Sequence, residues 1–161
     1  MTTTHNIHAS GLVLGGIGLI LRGPPGSGKS LLALALLDQW DARGLEATLV
    51  SDDRVEIVTG NGALRMRPAP NIEGLIELRG RGIVKRPFVE EAPLHLVIDL
   101  VEMLERMLED DALVTELFGV TLPRAPVPQA GVIDTWHQLL LIGEAIRELG
   151  SQPMVARQKT T

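Results

Sequence analysis

An α/β fold with a central mixed sheet is predicted by three features of the sequence. Short apolar stretches of strand length alternate with glycine- and proline-rich loops, and one stretch rich in leucine and alanine has the composition of a helix. A glycine-rich loop, "GPPGSGKS" at residues 23–30, stands between an apolar run and that helix. The 161 residues, 45% of them hydrophobic, suit one packed domain. We expect this domain over residues 1–150 and a frayed tail over 151–161.

Two short strands joined by a tight turn are predicted at residues 11–21, "GLVLGGIGLIL". The turn falls near Gly15 and Gly16, because glycine adopts the backbone conformations that a two-residue hairpin turn requires. The second of these strands, residues 17–22, leads directly into the glycine-rich loop. The loop is therefore expected to join a strand to a helix.

A buried helix is predicted over residues 29–42, where no glycine or proline interrupts the sequence. Gly44, just beyond it, is typical of a helix C-terminus. The next apolar stretch, "EATLVSDD", predicts a strand that ends in two carboxylates, Asp52 and Asp53. The stretch "RVEIVTGNGALRMRP" then predicts a hairpin that turns at residues 60–62.

The second half of the chain is less regular. "PAPNIEGLIELRGRGIV" predicts a proline-containing loop and a glycine-punctuated stretch, and "PLHLVIDLVE" predicts a strand buried on both faces. We expect "MLERMLEDDALVTELFG" to be more helical than extended, and the three prolines of "TLPRAPVPQAG" predict a loop or an edge strand. A final helix is expected to end at Gly150. Its recurring apolar positions are Ile133, Trp136, Leu139, Leu140 and Ile146.

The composition argues against several kinds of partner. The net charge is −5, and two Phe, two Trp and no Tyr leave little for nucleic-acid bases to stack on. The absence of cysteine excludes disulfides, thiolate metal sites and a cysteine nucleophile. The N-terminus has no secretory pattern, and residues 11–21, the longest apolar run, are too few to span a bilayer. We therefore expect a cytoplasmic protein that binds neither nucleic acid nor membrane.

The glycine-rich loop matches the pattern G-x-x-x-x-G-K-[ST] of a P-loop completely. Its glycines let backbone N–H groups converge on phosphate oxygens, and the following helix directs its positive end at them. Lys29 would bridge the terminal phosphates, and Ser30 would bind Mg²⁺. This pattern predicts a P-loop nucleotide-binding fold. The expected nucleotide-binding residues are Gly23, Pro24, Pro25, Gly26, Ser27, Gly28, Lys29 and Ser30.

Two strand ends offer the carboxylate that usually completes such a Mg²⁺ site. "HLVIDLVE" places Asp99 after three apolar residues, and "ATLVSDD" places Asp52 and Asp53 together. If one member of the pair serves the metal, the other can accept a proton from an attacking hydroxyl, which contributes roughly 10²–10⁴-fold to rate. The alternative for the pair is an acidic turn on the solvated rim.

Four segments together resemble the C-terminal catalytic domain of HPr kinase/phosphorylase, a protein-serine kinase of bacterial sugar-transport regulation. They are "IHASG", "GPPGSGKS", "SDDRVEI" and "EGLIELRGRGIV", and the resemblance runs from about Asn6 to about Pro128. The last segment is the most telling, because "ELRGRGI" is similar to that family's catalytic segment. The resemblance implies a fold of the HPr kinase/PEP carboxykinase type, and the chain looks like the short alphaproteobacterial form.

The resemblance also implies roles for individual residues near the loop. His8 stands where the family has a catalytic histidine, although the family's His-Gly is His8-Ala9 here. Read without the resemblance, His8 would be a solvent-exposed tail residue. Asp53 matches the residue that accepts the proton and returns it in the reverse reaction. Asp52 would support Asp53 or the metal.

Further residues follow from the same comparison. Glu77 matches a Mg²⁺ ligand alongside Ser30, and Arg79 follows it in the same segment. The alternative for Glu77 and Arg79 is a surface ion pair of little consequence. A later catalytic arginine matches Arg106 loosely, and Arg106 could equally be an exposed helix residue. We count Lys29 with His8, Asp53 and Arg106 as the candidate catalytic residues.

One element of the family is missing. Its proline-rich loop carries Pro-Gly-Arg-Asn, which is implicated in removing phosphate from the protein substrate, whereas "LPRAPVPQAG" has no Gly-Arg-Asn. Phosphorylase activity is therefore in question. Arg124 is a possible substitute that spacing alone does not establish.

The resemblance implies an ATP- and Mg²⁺-dependent kinase that phosphorylates a serine of an HPr-like phosphocarrier and assembles as a hexamer. A basic run, Arg79, Arg81, Lys85 and Arg86, stands out in an acidic chain and would suit an acidic carrier. Two alternatives remain from the residues themselves. A small-molecule kinase would call for a lid, and a nucleotide-binding regulatory module would need Lys29 but not Asp53 or His8.

Overall fold

The computed structural model describes residues 2–151, so most of the predicted tail lies outside the described residues. Two α-helices, α1 (Lys29–Ala42) and α2 (Thr135–Ser151), and a 3₁₀ helix at Asp110–Leu113 occur in this part of the chain. The strands are β1 Thr3–Ile7, β2 Ser10–Leu14, β3 Ile17–Arg22, β4 Ala47–Ser51, β5 Val55–Gly60, β6 Ala63–Pro68, β7 Leu75–Leu78, β8 Gly82–Lys85, β9 Ala92–Pro93, β10 Leu96–Val101, β11 Val114–Leu117 and β12 Val120–Pro128.

A mixed sheet of six strands forms the centre of the fold, in the order β11-β12-β10-β3-β2-β4. β10 is parallel to both β3 and β12, and the other pairs are antiparallel. A second sheet has the order β1-β5-β6-β9, and β7 pairs with β8 as a separate hairpin. The predicted central mixed sheet is therefore confirmed.

Both faces of the central sheet are buried, and strand alternation divides its side chains between two cores. On β3, Leu19 and Leu21 contribute to the core that contains the buried residues of α1, while Ile20 contributes to the core shared with β5 and β6. On β2, Leu12 and Val13 divide in the same way. The fold is thus layered as helices, central sheet and second sheet.

The elements around the glycine-rich loop follow the sequence prediction. The β2–β3 turn has positive φ at both Gly15 and Gly16, as a tight hairpin turn requires. α1 begins at Lys29 directly after the loop, and Gly44 follows its C-terminus at φ 74°. The buried β10, the strand before Asp52 and the β5–β6 hairpin are likewise present as predicted.

Strand direction brings several chain segments to one edge of the central sheet. β2 is antiparallel to both β3 and β4, so β3 and β4 run in the same direction. The C-terminal ends of these two strands and the first residue of β2, Ser10, therefore lie at the same edge. The glycine-rich loop after Arg22 and the carboxylate pair after Ser51 emerge there.

The helical prediction for residues 103–119 is wrong except for a single 3₁₀ turn at Asp110–Leu113. Residues 103–109 form bends without regular structure, and β11 (Val114–Leu117) is extended. Met103 and Met107 are 70% and 82% exposed. Helix propensity alone does not stabilise so short a segment in water.

The proline-rich segment forms β12, and each part of this strand is paired on one side only, as the prediction of an edge strand requires. β11 pairs with residues 120–123 only, and β10 pairs with residues 124–128. Pro126 and Pro128 are two residues apart, so their nitrogens face the same side of the strand. The sheet tolerates them because β11 does not extend alongside this part of β12, which leaves it as an edge.

The final helix forms as predicted, but it begins at Thr135, after Ile133, and of the predicted apolar positions only Leu139 and Ile146 pack against the core. Trp136 and Leu140, two of the predicted apolar positions, are 62% and 54% exposed. The buried residues of α2 include Gln138 and Ile142, and Gln138 donates a hydrogen bond to the carbonyl of Pro128 at 2.9 Å. A buried polar anchor therefore helps set the rotation of the helix.

Gly18→Ala should destabilise the protein by about 3 kcal/mol or more. A Cβ at Gly18 would lie 1.7 Å from the carbonyl oxygen of Pro93, and backbone cannot yield as a side chain can. Gly143→Ala is the control, because a Cβ there meets nothing within 4 Å and alanine favours the helix by about 0.5–1 kcal/mol. Urea unfolding of both variants measures the difference, and a loss for Gly18→Ala below about 1 kcal/mol would contradict the close approach.

Candidate nucleotide-binding cleft

A cleft of about 700 Å³ opens at the sheet edge where the glycine-rich loop and the carboxylate pair meet. One side is formed by the loop and the start of α1, and the opposite side by the β7–β8 hairpin. The lining residues are Pro25, Gly26, Gly28, Lys29, Ser30, Leu31, Asp52, Asp53, Ile72, Leu75, Ile76, Glu77, Arg79 and Ile83. The cleft therefore gathers most of the site residues predicted from the sequence.

The glycine-rich loop has a conformation that depends on glycine. Gly26 and Gly28 have φ of 80° and 93°, in the left-handed region that other residues avoid. The Lys29 ammonium donates to the carbonyl oxygens of Gly23 at 2.9 Å and Pro24 at 3.4 Å. The ammonium thus lies within the loop, which opens at the N-terminus of α1, where backbone N–H groups favour anions.

Asp52 is the buried carboxylate of the cleft, with 8% of its surface exposed. The Ser30 hydroxyl lies 2.9 Å from Oδ1 and 3.0 Å from Oδ2 of Asp52. The backbone N–H of Glu77 donates to Oδ2 at 3.4 Å. Asp52 thus connects the phosphate loop to the β7–β8 hairpin.

Asp53 faces the same cleft because the chain turns sharply at this residue. Successive side chains of an extended strand point to opposite faces. Asp53 departs from that geometry with φ 67°, and the Arg54 N–H donates to the carbonyl of Asp52 at 2.7 Å, which closes a three-residue turn. Aspartate is among the residues that tolerate this conformation. The result is one buried and one exposed carboxylate in the same cleft.

The β7–β8 hairpin supplies the opposite wall. Ile76 is 1% exposed and anchors β7 in the core, and the neighbouring Glu77 is exposed in the cleft. Arg79 also lines the cleft, and Gly80 and Gly82 adopt positive φ in the turn between the strands. The sequence placed Glu77 and Arg79 near the site only through family resemblance, because the hairpin itself had not been predicted.

Two predicted catalytic residues lie elsewhere. His8 is exposed in the bend between β1 and β2 and does not line the cleft, although Ser10, two residues later, is at its base. Arg106 is exposed in the irregular segment 103–109, also outside the cleft lining. The structure leaves both roles as predictions.

Ser10 is a site residue that sequence reasoning missed. Its hydroxyl donates to Oδ1 of Asp52 at 2.9 Å, and the side chain is fully buried. Ser10 could have been placed near the site only from strand pairing, because the first residue of a strand antiparallel to β3 must lie beside the end of β3. Without the pairing of β2 with β4, nothing in the sequence connected Ser10 to Asp52.

Asp99, the other candidate metal carboxylate, is engaged by two arginines. Arg22 donates to both carboxylate oxygens, at 2.8 and 3.0 Å, and Arg124 donates to Oδ2 at 2.6 Å. Burial by itself raises the pKa of Asp99, but the two guanidinium groups more than offset it, so the pKa lies below its ordinary value. Asp99 does not line the cleft. Asp52 is accordingly the better-placed candidate for the metal.

The segment that replaces the family's Pro-Gly-Arg-Asn element contacts the phosphate loop through backbone atoms. The Ala130 N–H donates to the carbonyl of Ser27 at 3.3 Å. A Cβ built on Gly28 would lie 3.0 Å from the Cβ of Ala130, so only glycine fits comfortably at this contact. Arg124, considered as a substitute for the missing arginine, is committed to Asp99 and to the carbonyl of Ala112.

The donor set suits Mg²⁺ bound together with phosphate. No group of three or more His, Cys, Asp or Glu side chains within residues 2–151 forms a metal cage. Mg²⁺ commonly keeps several waters and takes only one or two carboxylates plus phosphate oxygens. Ser30, with Asp52 behind it and Glu77 across the cleft, offers a partial set of that kind.

The fold and the cleft define a P-loop protein of the α/β class. A family model described as HPr Serine kinase C-terminal domain matches residues 1–154, and this chain belongs to that family. The family resemblance drawn from four sequence segments is therefore confirmed. No helix within the described residues is long and apolar enough to cross a membrane.

Relatives and a solved structure agree with this assignment. The HPr kinase/phosphorylase of Clostridium novyi (strain NT) is 33% identical over 126 residues, which are 70% of this chain and 38% of that protein. The HPr kinase/phosphorylase of Mycoplasma mycoides subsp. mycoides SC is 31% identical over 110 residues, 64% of this chain and 33% of that protein. The chain thus spans less than half the length of these relatives.

The structure of the HPr(Ser) kinase/phosphatase from Coxiella burnetii has a TM-score of 0.71 to this chain at 30% identity. The match covers 89% of this chain and 95% of the Coxiella chain. The predicted fold type is confirmed by this similarity.

The contribution of Asp99 and its two arginine partners to stability can be tested by measuring unfolding as a function of pH. Asp99→Asn should lower the free energy of unfolding by about 2–4 kcal/mol near neutral pH, because two guanidinium groups then face each other without a counter-charge. The pKa of Asp99 is lower in the folded than in the unfolded chain. The contribution of Asp99 to the free energy of unfolding is therefore fully present above its ordinary pKa of 3.8. This contribution is lost as the pH falls towards the lowered pKa of the folded chain.

Urea unfolding of both proteins at about pH 7 and in steps below about pH 4 measures this difference. Glu91→Gln is the control, since Glu91 binds Arg65 and Arg67 on the exposed surface and should matter far less. If the difference in the free energy of unfolding between wild type and Asp99→Asn stays constant over the acidic range, the lowered pKa of Asp99 is contradicted.

Proposed function

We propose that this chain is an ATP- and Mg²⁺-dependent kinase that phosphorylates a serine of an HPr-like phosphocarrier. One observation carries the proposal: buried Asp52 holds the Ser30 hydroxyl at 2.9 Å, and exposed Asp53 faces the same cleft. A module that only binds nucleotide has no need of a second, exposed carboxylate beside its phosphate loop. Relatives named HPr kinase/phosphorylase support the choice of acceptor.

The phosphate loop would hold the donor. Backbone N–H groups of residues 26–30, at the N-terminus of α1, bind phosphate oxygens. The Lys29 ammonium, now on the Gly23 and Pro24 carbonyls, has only to turn outward to reach the β- and γ-phosphates. Binding therefore exchanges contacts of the ammonium with neutral carbonyl oxygens for contacts with anionic phosphate oxygens.

Ser30 and Glu77 would hold Mg²⁺, with Asp52 supporting Ser30. Bound there, the ion supplies neutralisation of the charge on the phosphates. The Ser30 hydroxyl hydrogen is directed at Asp52, so the oxygen lone pairs remain available on the cleft side. Asp52 thereby sets the orientation of the Ser30 hydroxyl, the proposed metal ligand.

Asp53 would act as the general base. The acceptor serine oxygen forms a bond to the γ-phosphorus while the bond from that phosphorus to the ADP oxygen breaks, and the serine proton passes to the Asp53 carboxylate. Arg79, on the opposite wall, brings positive charge to the cleft. Roles for His8 and Arg106 in neutralising charge on the transferred group rest on the family resemblance alone.

The rim beside the cleft suits an acidic carrier. Arg79, Arg81 and Lys85 are exposed and form no ion pair within residues 2–151, whereas Arg86 binds Asp38 of α1. The carrier serine would enter past this basic rim. With ATP as donor we place the reaction in the cytoplasm, and we retain a hexameric assembly as a proposal from the resemblance.

Phosphotransfer from ATP to a purified HPr-type protein, with Mg²⁺, tests the proposed function. Asp53→Asn should lower kcat by about 10²–10⁴-fold while nucleotide binding persists, because only the proton acceptor is removed. Lys29→Ala should lose both nucleotide affinity and transfer. Asp111→Asn, at an exposed position outside the cleft, is the control and should match wild type.

Phosphoserine on the carrier that disappears in both site variants supports the kinase. If ATP binds through Lys29 but no carrier is phosphorylated, the chain is a nucleotide-binding module instead. Addition of inorganic phosphate to the phosphorylated carrier then reveals whether a chain without Gly-Arg-Asn performs the reverse reaction.

The double variant Arg81→Ala, Lys85→Ala tests the basic rim. We expect KM for the carrier to rise about three- to tenfold at low salt with kcat little changed, since neither residue lines the cleft. The effect should shrink at higher salt because exposed charges are screened. Arg65→Ala, at an exposed arginine that binds Glu91, is the control. Equal effects of the control and the double variant would argue against a docking role.

A further inference from the structure

Ser10 occupies an unusual position beside the carboxylate pair. It is the first residue of β2, is 0% exposed, and uses its hydroxyl twice. The hydroxyl donates to Oδ1 of Asp52 at 2.9 Å and accepts the backbone N–H of Asp53 at 3.1 Å. A single buried oxygen therefore contacts both members of the pair, one through its side chain and the other through its backbone.

The hydrogen bond between Ser10 and Asp53 helps to hold Asp53 in an unfavourable backbone conformation. A non-glycine residue in the left-handed region costs roughly 1–2 kcal/mol, so some other interaction must hold Asp53 at φ 67°. Within the described residues, the Asp53 N–H donates to Ser10 and the adjacent Arg54 N–H donates to Asp52. The turn that directs Asp53 into the cleft thus depends on the Ser10 hydroxyl.

The contact with Asp52 ties the carboxylate to a rigid part of the sheet. β2 is hydrogen-bonded on both sides, and Ser10 pairs with Leu21 at the end of β3, just before the phosphate loop. Oδ1 of Asp52 receives the hydroxyls of Ser10 and Ser30 together. The distance between the metal-binding hydroxyl and the carboxylate pair is therefore fixed from the central sheet.

We propose that Ser10 is a positioning residue that sets the geometry of Asp52 and Asp53 for phosphoryl transfer. The inference rests on the proposed function. Ser10 does not line the cleft, so it acts through the two carboxylates and contacts neither nucleotide nor carrier. Its loss should displace the base and the metal support without removing any group that binds substrate.

Steady-state kinetics of Ser10→Ala, Ser10→Thr and Ser51→Ala test the proposal. Ser51 is an equally buried serine at the end of β4, directly before Asp52, and its hydroxyl accepts the Ala69 N–H at 3.1 Å. Both alanine variants lose buried hydrogen bonds and should melt below wild type. Only Ser10→Ala should lower kcat, by about ten- to a hundredfold, with KM for the carrier and affinity for ATP within about twofold of wild type.

Ser10→Thr, which keeps the hydroxyl on a residue that strands favour, should restore most of kcat. Equal kcat in Ser10→Ala and Ser51→Ala would overturn the proposal, and so would a loss of kcat that Ser10→Thr does not restore while it melts like wild type. A loss that appears as raised KM with unchanged kcat would also overturn it.

Amide hydrogen exchange of Asp53, measured by NMR, separates this proposal from the proposed function. The Asp53 amide should exchange at least tenfold faster in Ser10→Ala than in wild type, and should stay protected in Ser51→Ala and Ser10→Thr. If the wild-type chain does not phosphorylate the carrier, the proposed function fails while the exchange result still decides whether Ser10 holds the turn. Unchanged exchange in Ser10→Ala would overturn the positioning role.

Discussion

The structure of the cleft depends on the buried carboxylate of Asp52. A carboxylate with 8% exposure requires hydrogen-bond donors, and here the donors come from three segments that are distant in sequence. They are the hydroxyls of Ser10 and Ser30 and the backbone N–H of Glu77. The strand β2, the phosphate loop and the β7–β8 hairpin therefore converge on one side chain. The same requirement that satisfies a buried charge also assembles the candidate site.

A second carboxylate at this edge of the sheet shows why the partners matter. Asp99 lies within β10 near its C-terminal end, whereas Asp52 follows β4, and Asp99 faces two guanidinium groups. A carboxylate neutralised by arginines stabilises strand ends and has little capacity left for a metal. Asp52 is held by neutral donors, so its negative charge remains uncompensated near the phosphate loop. The two sites differ through their neighbours and not through their own sequence context.

The sequence predicted those parts of the fold that local patterns determine. The glycine turn of β2–β3, the helix α1 and the carboxylates after β4 each follow from neighbouring residues. The irregular segment 103–109 and the pairing partners of β12 depend on which surfaces are available for packing and pairing, and this information is not local. Ser10 escaped notice for the same reason, since its contact with Asp52 requires knowledge of how β2 pairs with β4.

The turn at Asp53 has a consequence for the evolution of the chain. Glycine would adopt φ 67° without strain, so Asp53→Gly should be more stable than the wild type by about 1 kcal/mol. Selection for thermal stability alone would therefore favour the loss of the exposed carboxylate. Under the proposed function, a lineage that keeps aspartate at this position does so against its own folding preference, and glycine there would be expected in a chain that binds nucleotide without transferring phosphate.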